Sequence, residues 1–342
     1  MIIRNEQDVT QAVLAELDRA TDPRFKDILQ VAVRHLHAFV RETRLTEAEF
    51  QQVCAVIVRL GQASTASHNE VVLAAGSLGV SSLVCLLNNG GQAVTEVPED
   101  GPAAGQGVGG TNGTNGTNGA TARTGTTANL LGPFWRMDSP RTDPGASIVR
   151  SPTPGDPIFV EAWVKDLTGR PVAGAEVDVW HSSNEGFYEN QDPAQADMNL
   201  RGKFVTDADG RIAFRSVKPA GYPIPVTGPV GELLRAQGRH NMRPAHIHFL
   251  IFKEGYKTQF SQIYSSDDPN LDTDVQFGVT EASVGHYEQH SAGTAPAADV
   301  TGVWYSLKQS FVIEPGVARL PRPPISAKTD GPRPTLTVLT RT

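Results

Sequence analysis

A chain of 342 residues is long enough for one large domain or two ordinary ones with a substantial core. Its 30 basic and 37 acidic side chains leave a net charge of -7, with no basic run able to follow a phosphate backbone, so nucleic acid is not an expected partner. Residues 1–7 carry charges and no apolar stretch of signal-peptide length, and nowhere do about 18 apolar residues run uninterrupted, so membrane insertion is not expected and the reading is cytoplasmic.

From about Asp8 to Asn89 the apolar residues recur with helical spacing. Asp22 before Pro23 is an N-cap and first-turn pair, and Phe25, Ile28, Leu29, Ala32, Leu36, Phe39 and Val40 then form one apolar stripe. Thr46 and Glu49 make a capping box ahead of Phe50, Val53, Cys54, Ile57 and Leu60. A third helical segment runs from about His68 to Leu87, where Gly76 and Gly79 would admit another backbone at some cost in helix propensity. Cys54 and Cys85 fall at apolar helical positions, as expected of buried, reduced thiols. His35, His37 and His68 read as helix-surface or edge residues without a ligand-like partner. The stripe is larger than a lone three-helix unit could hide, which predicts a homodimer contact.

After Asn89 the composition shifts to Gly, Thr, Asn, Ala and Pro, with a three-residue tandem repeat over 110–119, so 91–129 reads as a flexible linker. Asn112 and Asn115 each begin a glycosylation sequon, discounted for want of a secretory signal. From about Ile148 onward the pattern is that of strands. Ile158, Val160, Ala162 and Val164 alternate, Asp166 to Gly169 is a turn, and Val177 and Val179 resume the inward face. Asp207-Ala208-Asp209-Gly210 resembles the start of a calcium loop, but it lacks the remaining ligands and reads as a hairpin turn. Further strands are expected at His246 to Phe252, Thr258 to Tyr264 and Ser310 to Glu314. Many short strands with regular turns predict a mainly β fold, an antiparallel β-sandwich over 130–342 with an α-helical segment over 1–90.

The chemistry is carried by Tyr188, Tyr222, His246 and His248. His246 and His248 sit two apart on a predicted strand, so both imidazoles project from one face and could close on one metal. Tyr188 and Tyr222 each lie in a loop leaving a strand. Phenolate oxygen suits a hard, highly charged ion and imidazole also binds iron, so two Tyr with two His suggest non-haem Fe(III). The remaining tyrosines, Tyr256, Tyr264, Tyr287 and Tyr305, lack this arrangement.

Leu131-Gly132-Pro133-Phe134-Trp135, Val177-Asp178-Val179-Trp180, Glu185-Gly186-Phe187-Tyr188, Tyr222-Pro223-Ile224-Pro225 and Arg243-Pro244-Ala245-His246-Ile247-His248 together resemble the intradiol ring-cleavage dioxygenases. Within that family the likeness is strongest to hydroxyquinol 1,2-dioxygenases, through Gly228-Pro229-Val230-Gly231, Arg239-His240 and the run from Leu271 to Val279. The resemblance implies an N-terminal dimerisation segment, a catalytic sandwich and Fe(III) held by Tyr188, Tyr222, His246 and His248, with Tyr222 as the axial ligand that leaves when substrate binds. It also implies O2 and a catechol-type ring as substrates, and a phospholipid-like molecule in an apolar tunnel at the dimer contact. Arg243 matches an arginine that stabilises charge on the activated ring, and Gln262 matches a pocket glutamine of catechol-cleaving relatives. Leu73, Gly76, Leu131, Gly132, Ile224, Pro225 and Val226 match the substrate pocket, although hydroxyquinol relatives usually carry an acidic residue where this chain has Gly76. That departure leaves catechol or a substituted catechol as alternative substrates. Two readings of other classes remain at this point: a non-catalytic β-sandwich binding module, and a zinc hydrolase using His246, His248 and a carboxylate.

Overall fold

A computed structural model describes residues 2–88 and 125–341. Two compact units divide at Arg59/Leu60. The repeat and most of the 91–129 linker lie outside the described residues. Residues 125–129, assigned to that linker from composition, are instead pinned to strands. The Thr126 N–H donates to the Val312 carbonyl at 2.8 Å, and the Asn129 N–H donates to the Phe260 carbonyl at 2.8 Å.

The first unit is helical, with α1 (Glu6–Leu17), α2 (Pro23–Thr43) and most of α3 (Glu47–Gln62). Asp22 caps α2 by accepting from the Phe25 N–H, and Thr46 and Glu49 form the expected reciprocal cap on α3. Thr10 of α1 contacts His37 of α2 at 2.8 Å and accepts from Arg41 at 3.0 Å. The apolar stripe is uncovered: Phe25, Ile28, Leu36 and Phe39 on α2, and Phe50, Val53 and Ile57 on α3, are all exposed. Cys54 is exposed too and Cys85 is half-buried, so neither thiol is the fully buried core residue expected, because the helix faces that carry them are not packed over.

In the second unit, residues 60–88 break into α4 (Glu70–Ser77) and α5 (Val80–Asn88) rather than one helix. The two meet at 75° where Gly79 takes a left-handed φ of 73°, a conformation that glycine adopts freely. Among the described residues no single helix is long and apolar enough to cross a membrane. Gly76 faces a side chain, that of Gln276, not another backbone.

The strands are β1 (Pro157–Asp166), β2 (Glu176–His181), β3 (Arg201–Val205), β4 (Arg211–Val217), β5 (Tyr222–Pro223), β6 (Met242–Arg243), β7 (His246–Phe252), β8 (Gln259–Ser265), β9 (Val284–Gly285), β10 (Glu288–His290) and β11 (Trp304–Ile313), with helix α6 (Pro229–Ala236) between β5 and β6. One large sheet runs β10-β11-β1-β4 and the other β3-β2-β7-β8-β9, and β5 and β6 form a separate two-stranded sheet. Most pairs are antiparallel, but β1 with β11 and β8 with β9 are parallel. The turn at Asp207 to Gly210 does not close a hairpin. It carries the chain from β3 in one sheet to β4 in the other.

Alternation in β7 sorts its residues between two clusters. Ile247, Phe249 and Ile251 join Val177, Val179, Ile158, Val160, Phe214 and Phe311 in the core between the sheets. His246 and His248 point to the opposite face, where Trp180, Leu250, Phe134 and Val275 form a second buried cluster with both tyrosines. The candidate site therefore lies on the outer face of the five-stranded sheet, and the rigid inter-sheet core backs it.

Candidate metal centre

Register brings the site together. Antiparallel partners share a face, so His248 sits between Trp180 on β2 and Gln262 on β8, and His246 lies beside Tyr264. The Trp180 ring stacks on that of His248, with centroids 4.5 Å apart and planes 11° apart. Gly132 has a left-handed φ of 75°, and a Cβ there would lie 3.2 Å from His248 Cε1, so glycine suits both the turn and the close approach. Tyr222 is placed by its pairing with Arg243 across β5 and β6, and Asn241 clamps the next residues by exchanging hydrogen bonds with the Ile224 backbone at 2.7 and 2.8 Å. Tyr188 follows a tight turn at Gly186, where a Cβ would press to 3.0 Å on that of Tyr222. The segment beyond it is anchored by Glu189, which accepts from Arg201 at 2.7 Å and Arg136 at 2.8 Å.

Four donor atoms converge. Tyr188 Oη lies 3.4 Å from Tyr222 Oη, 3.4 Å from His246 Nε2 and 3.1 Å from His248 Nε2, and the two Nε2 atoms are 3.1 Å apart. Ligand atoms about 2.0–2.1 Å from one ion lie about 3.0–3.4 Å apart at four- or five-coordinate angles, so the spacing fits a single ion. The His246 Nδ1–H donates to the Pro244 carbonyl at 2.7 Å, which turns its Nε2 lone pair toward the other donors. Burial, then the Arg243 charge, pushes the His246 pKa down to about 3, and burial with its neighbours holds His248 well below the ordinary range, so both imidazoles are neutral. Burial raises both tyrosines, Tyr188 strongly, and the Arg243 charge partly offsets it. Phenolates here therefore call for a further cation, and two phenol oxygens with two neutral imidazoles suit a ferric ion. Among the described residues no three His, Cys, Asp or Glu side chains converge, so the carboxylate that a zinc hydrolase would add is not assembled.

Of the other residues singled out from sequence, Leu73, Leu131, Ile224 and Val226 pack in the cluster that holds both tyrosines. Gly76 is buried against Gln276, whereas Pro225 is only half-buried and lies outside the cluster. Gln262 donates to the Leu130 carbonyl at 2.6 Å and accepts from Arg243 at 2.7 Å.

Arg243 draws in two further residues, Asp274 and Tyr264. Its guanidinium grips Asp274 with two bonds, Nε to Oδ1 at 3.0 Å and Nη2 to Oδ2 at 3.1 Å. It also donates to Tyr264 Oη at 2.7 Å, and its Nη1 lies 3.4 Å from His246 Nε2. Tyr264, set aside from sequence, is thus part of the surroundings of the site, as are Asp274 and Asn241. The only signals were Tyr264's place two residues from Gln262 on one strand face, and Asp274's place within the Leu271 to Val279 run.

These features of fold and site define a β-sandwich protein with a buried Tyr/His metal-type centre. Residues 131–308 match the family model described as "Dioxygenase", and residues 22–95 match "Catechol dioxygenase N terminus". The chain is 36% identical to a hydroxyquinol 1,2-dioxygenase of Rhizobium sp., over 90% of this chain and 95% of that protein. It is 33% identical to a catechol 1,2-dioxygenase of Candida albicans, over 83% and 84%. The crystal structure of a hydroxyquinol 1,2-dioxygenase from Pseudomonas putida superposes with a TM-score of 0.71 at 33% identity, covering 91% of this chain and 99% of that one. The chain belongs to the intradiol ring-cleavage dioxygenases, enzymes that generally depend on non-haem Fe(III).

Replacing Asp274 by Asn would leave the buried Arg243 charge uncompensated, and is expected to destabilise the protein by about 3–5 kcal/mol in chemical denaturation. Burial alone would raise the Asp274 pKa, but Arg243 and the backbone N–H groups of Gly278 and Gln276 hold it below the ordinary carboxylate value. Its contribution is therefore complete at neutral pH and lost as pH falls through the lowered pKa, so the Asn variant should show a smaller loss of stability on acidification than the wild type.

Proposed function

We propose that the enzyme cleaves hydroxyquinol between adjacent hydroxyls, using Fe(III) held by Tyr188, Tyr222, His246 and His248, with O2 as co-substrate. The convergence of those four donor atoms within 3.1–3.4 Å is the observation that carries the reading. Ferric iron, when bound, supplies the Lewis acidity that draws both oxygens of a ring diol and primes the ring for O2. Tyr222 Oη, one of the residues that would hold the iron, would accept a proton from one substrate hydroxyl. The Pro244 carbonyl fixes the tautomer of His246, and Trp180 fixes the plane of His248. Arg243, locked by Asp274, holds a permanent positive charge beside the donors, where negative charge grows on the bound diol. Phe134, Trp180, Ile224 and Val226 keep water from the ring.

Similarity to the hydroxyquinol 1,2-dioxygenases of Rhizobium sp. and Pseudomonas putida supports the choice of ring. Catechol is the second reading, favoured by Gly76, which brings no polar side chain to the pocket. Oxygen uptake with the iron-loaded enzyme is expected to match hydroxyquinol loss one to one, with a higher kcat/KM than for catechol. A preference for catechol selects the second reading, and no uptake with either defeats both.

The uncovered apolar faces of α2 and α3 support a homodimer. Light scattering is expected to give twice the chain mass, and a monomer would refute the dimer.

A further inference from the structure

Gln276 is 2% exposed, yet among the described residues neither atom of its carboxamide makes a hydrogen bond. Only its backbone is engaged, the N–H donating to Asp274 Oδ1 at 3.2 Å and the carbonyl accepting from Ser82 Oγ at 2.9 Å. The carboxamide is not sealed in, because its polar atoms are not among the fully enclosed unpaired ones, so this unpaired amide stands where a ligand group can reach it. The carboxamide lies against Gly76, where a Cβ would stand 3.0 Å from Gln276 Cδ, 3.2 Å from Nε2 and 3.3 Å from Oε1. Absence of a side chain at residue 76 is what gives the carboxamide its room.

Position ties this amide to the site. Gly76 lies one turn along α4 from Leu73, and Val275 precedes Gln276. Leu73 and Val275 both belong to the buried cluster that contains Tyr188, Tyr222, Ile224 and Val226. Asp274, two residues back, is the partner of Arg243. The free carboxamide thus borders the apolar ground beside the four donor atoms. It is neutral and offers donor and acceptor together, which complements a hydroxyl, itself both donor and acceptor.

We infer that Gln276 is a specificity residue whose carboxamide, seated over Gly76, bonds the third hydroxyl of a trihydroxybenzene. The inference rests on the proposed reading of this cluster as the site of a ring diol. It supplies from the 274–278 loop the polar contact that Gly76 cannot make. Catechol, lacking that hydroxyl, would leave the amide unpaired, and a site built to bond a hydroxyl discriminates strongly against an analogue without it.

The test is anaerobic titration of the iron-loaded full-length enzyme with hydroxyquinol and with catechol, giving two Kd values for each protein without turnover. In Gln276→Leu the ratio of hydroxyquinol to catechol affinity is expected to fall about 10–100-fold. Gly76→Ala, whose Cβ displaces the carboxamide without removing it, is expected to move the ratio the same way by less. Ratios that stay at the wild-type value in both variants overturn the assignment while the dioxygenase reading stands. A wild-type enzyme that binds neither diol overturns that reading and the assignment with it.

Discussion

A slip of β7 by one residue against β2 and β8 would turn His246 and His248 into the core between the sheets and expel Ile247, Phe249 and Ile251 from it, because side chains alternate with a period of two. Burial of those apolar residues against Val177, Val179 and Ile263 therefore also aims the imidazoles. The same register sets Trp180 beside His248 and Tyr264 beside His246, so packing on one face of the sheet orders the polar groups on the other. The loops that bring in Tyr188 and Tyr222 need only reach a face already held rigid, and each is pinned close to its tyrosine, by the Glu189 pair and by Asn241.

Placing a guanidinium in this interior is costly, and its compensation explains the polar shell. Arg243 is 1% exposed and spends its donors on Asp274, Gln262 and Tyr264. A buried ion pair adds little net stability over an apolar filling, so its presence is better understood through the field it creates. That field lowers the pKa of His246 and opposes the rise of the Tyr222 pKa, which favours neutral imidazole and phenolate, the protonation states that a ferric ion requires.

Local pattern was enough to read the His246 and His248 pair, the caps of α2 and α3 and the strand that carries the histidines, since each rests on spacings of a few residues, whereas Tyr188 and Tyr222, 60 and 26 positions before His248, stood out through their loop positions and the likeness to a known family. Long-range partners were not readable. Asp274 meets Arg243 across 31 positions, and nothing in a period-two pattern says which acid a buried arginine will find. The turn at Asp207 to Gly210 has hairpin chemistry, but whether such a turn closes a hairpin or passes between sheets depends on how the sheets pack. The break between α4 and α5 turns on the left-handed φ of Gly79, and an apolar run with two glycines reads equally well as one bent helix. Gln276 sat unnoticed in a family motif because its free carboxamide becomes visible only once its burial and its neighbour Gly76 are known.

Whether Tyr188, Tyr222, His246 and His248 hold one ferric ion can be seen in the visible spectrum on adding Fe(III) to metal-free protein, because tyrosinate bound to ferric iron absorbs visible light and the free side chains do not. A broad band that saturates at one iron per chain and is weakened in Tyr188→Phe is expected. A wild-type protein that stays colourless at saturating iron would contradict the ferric site.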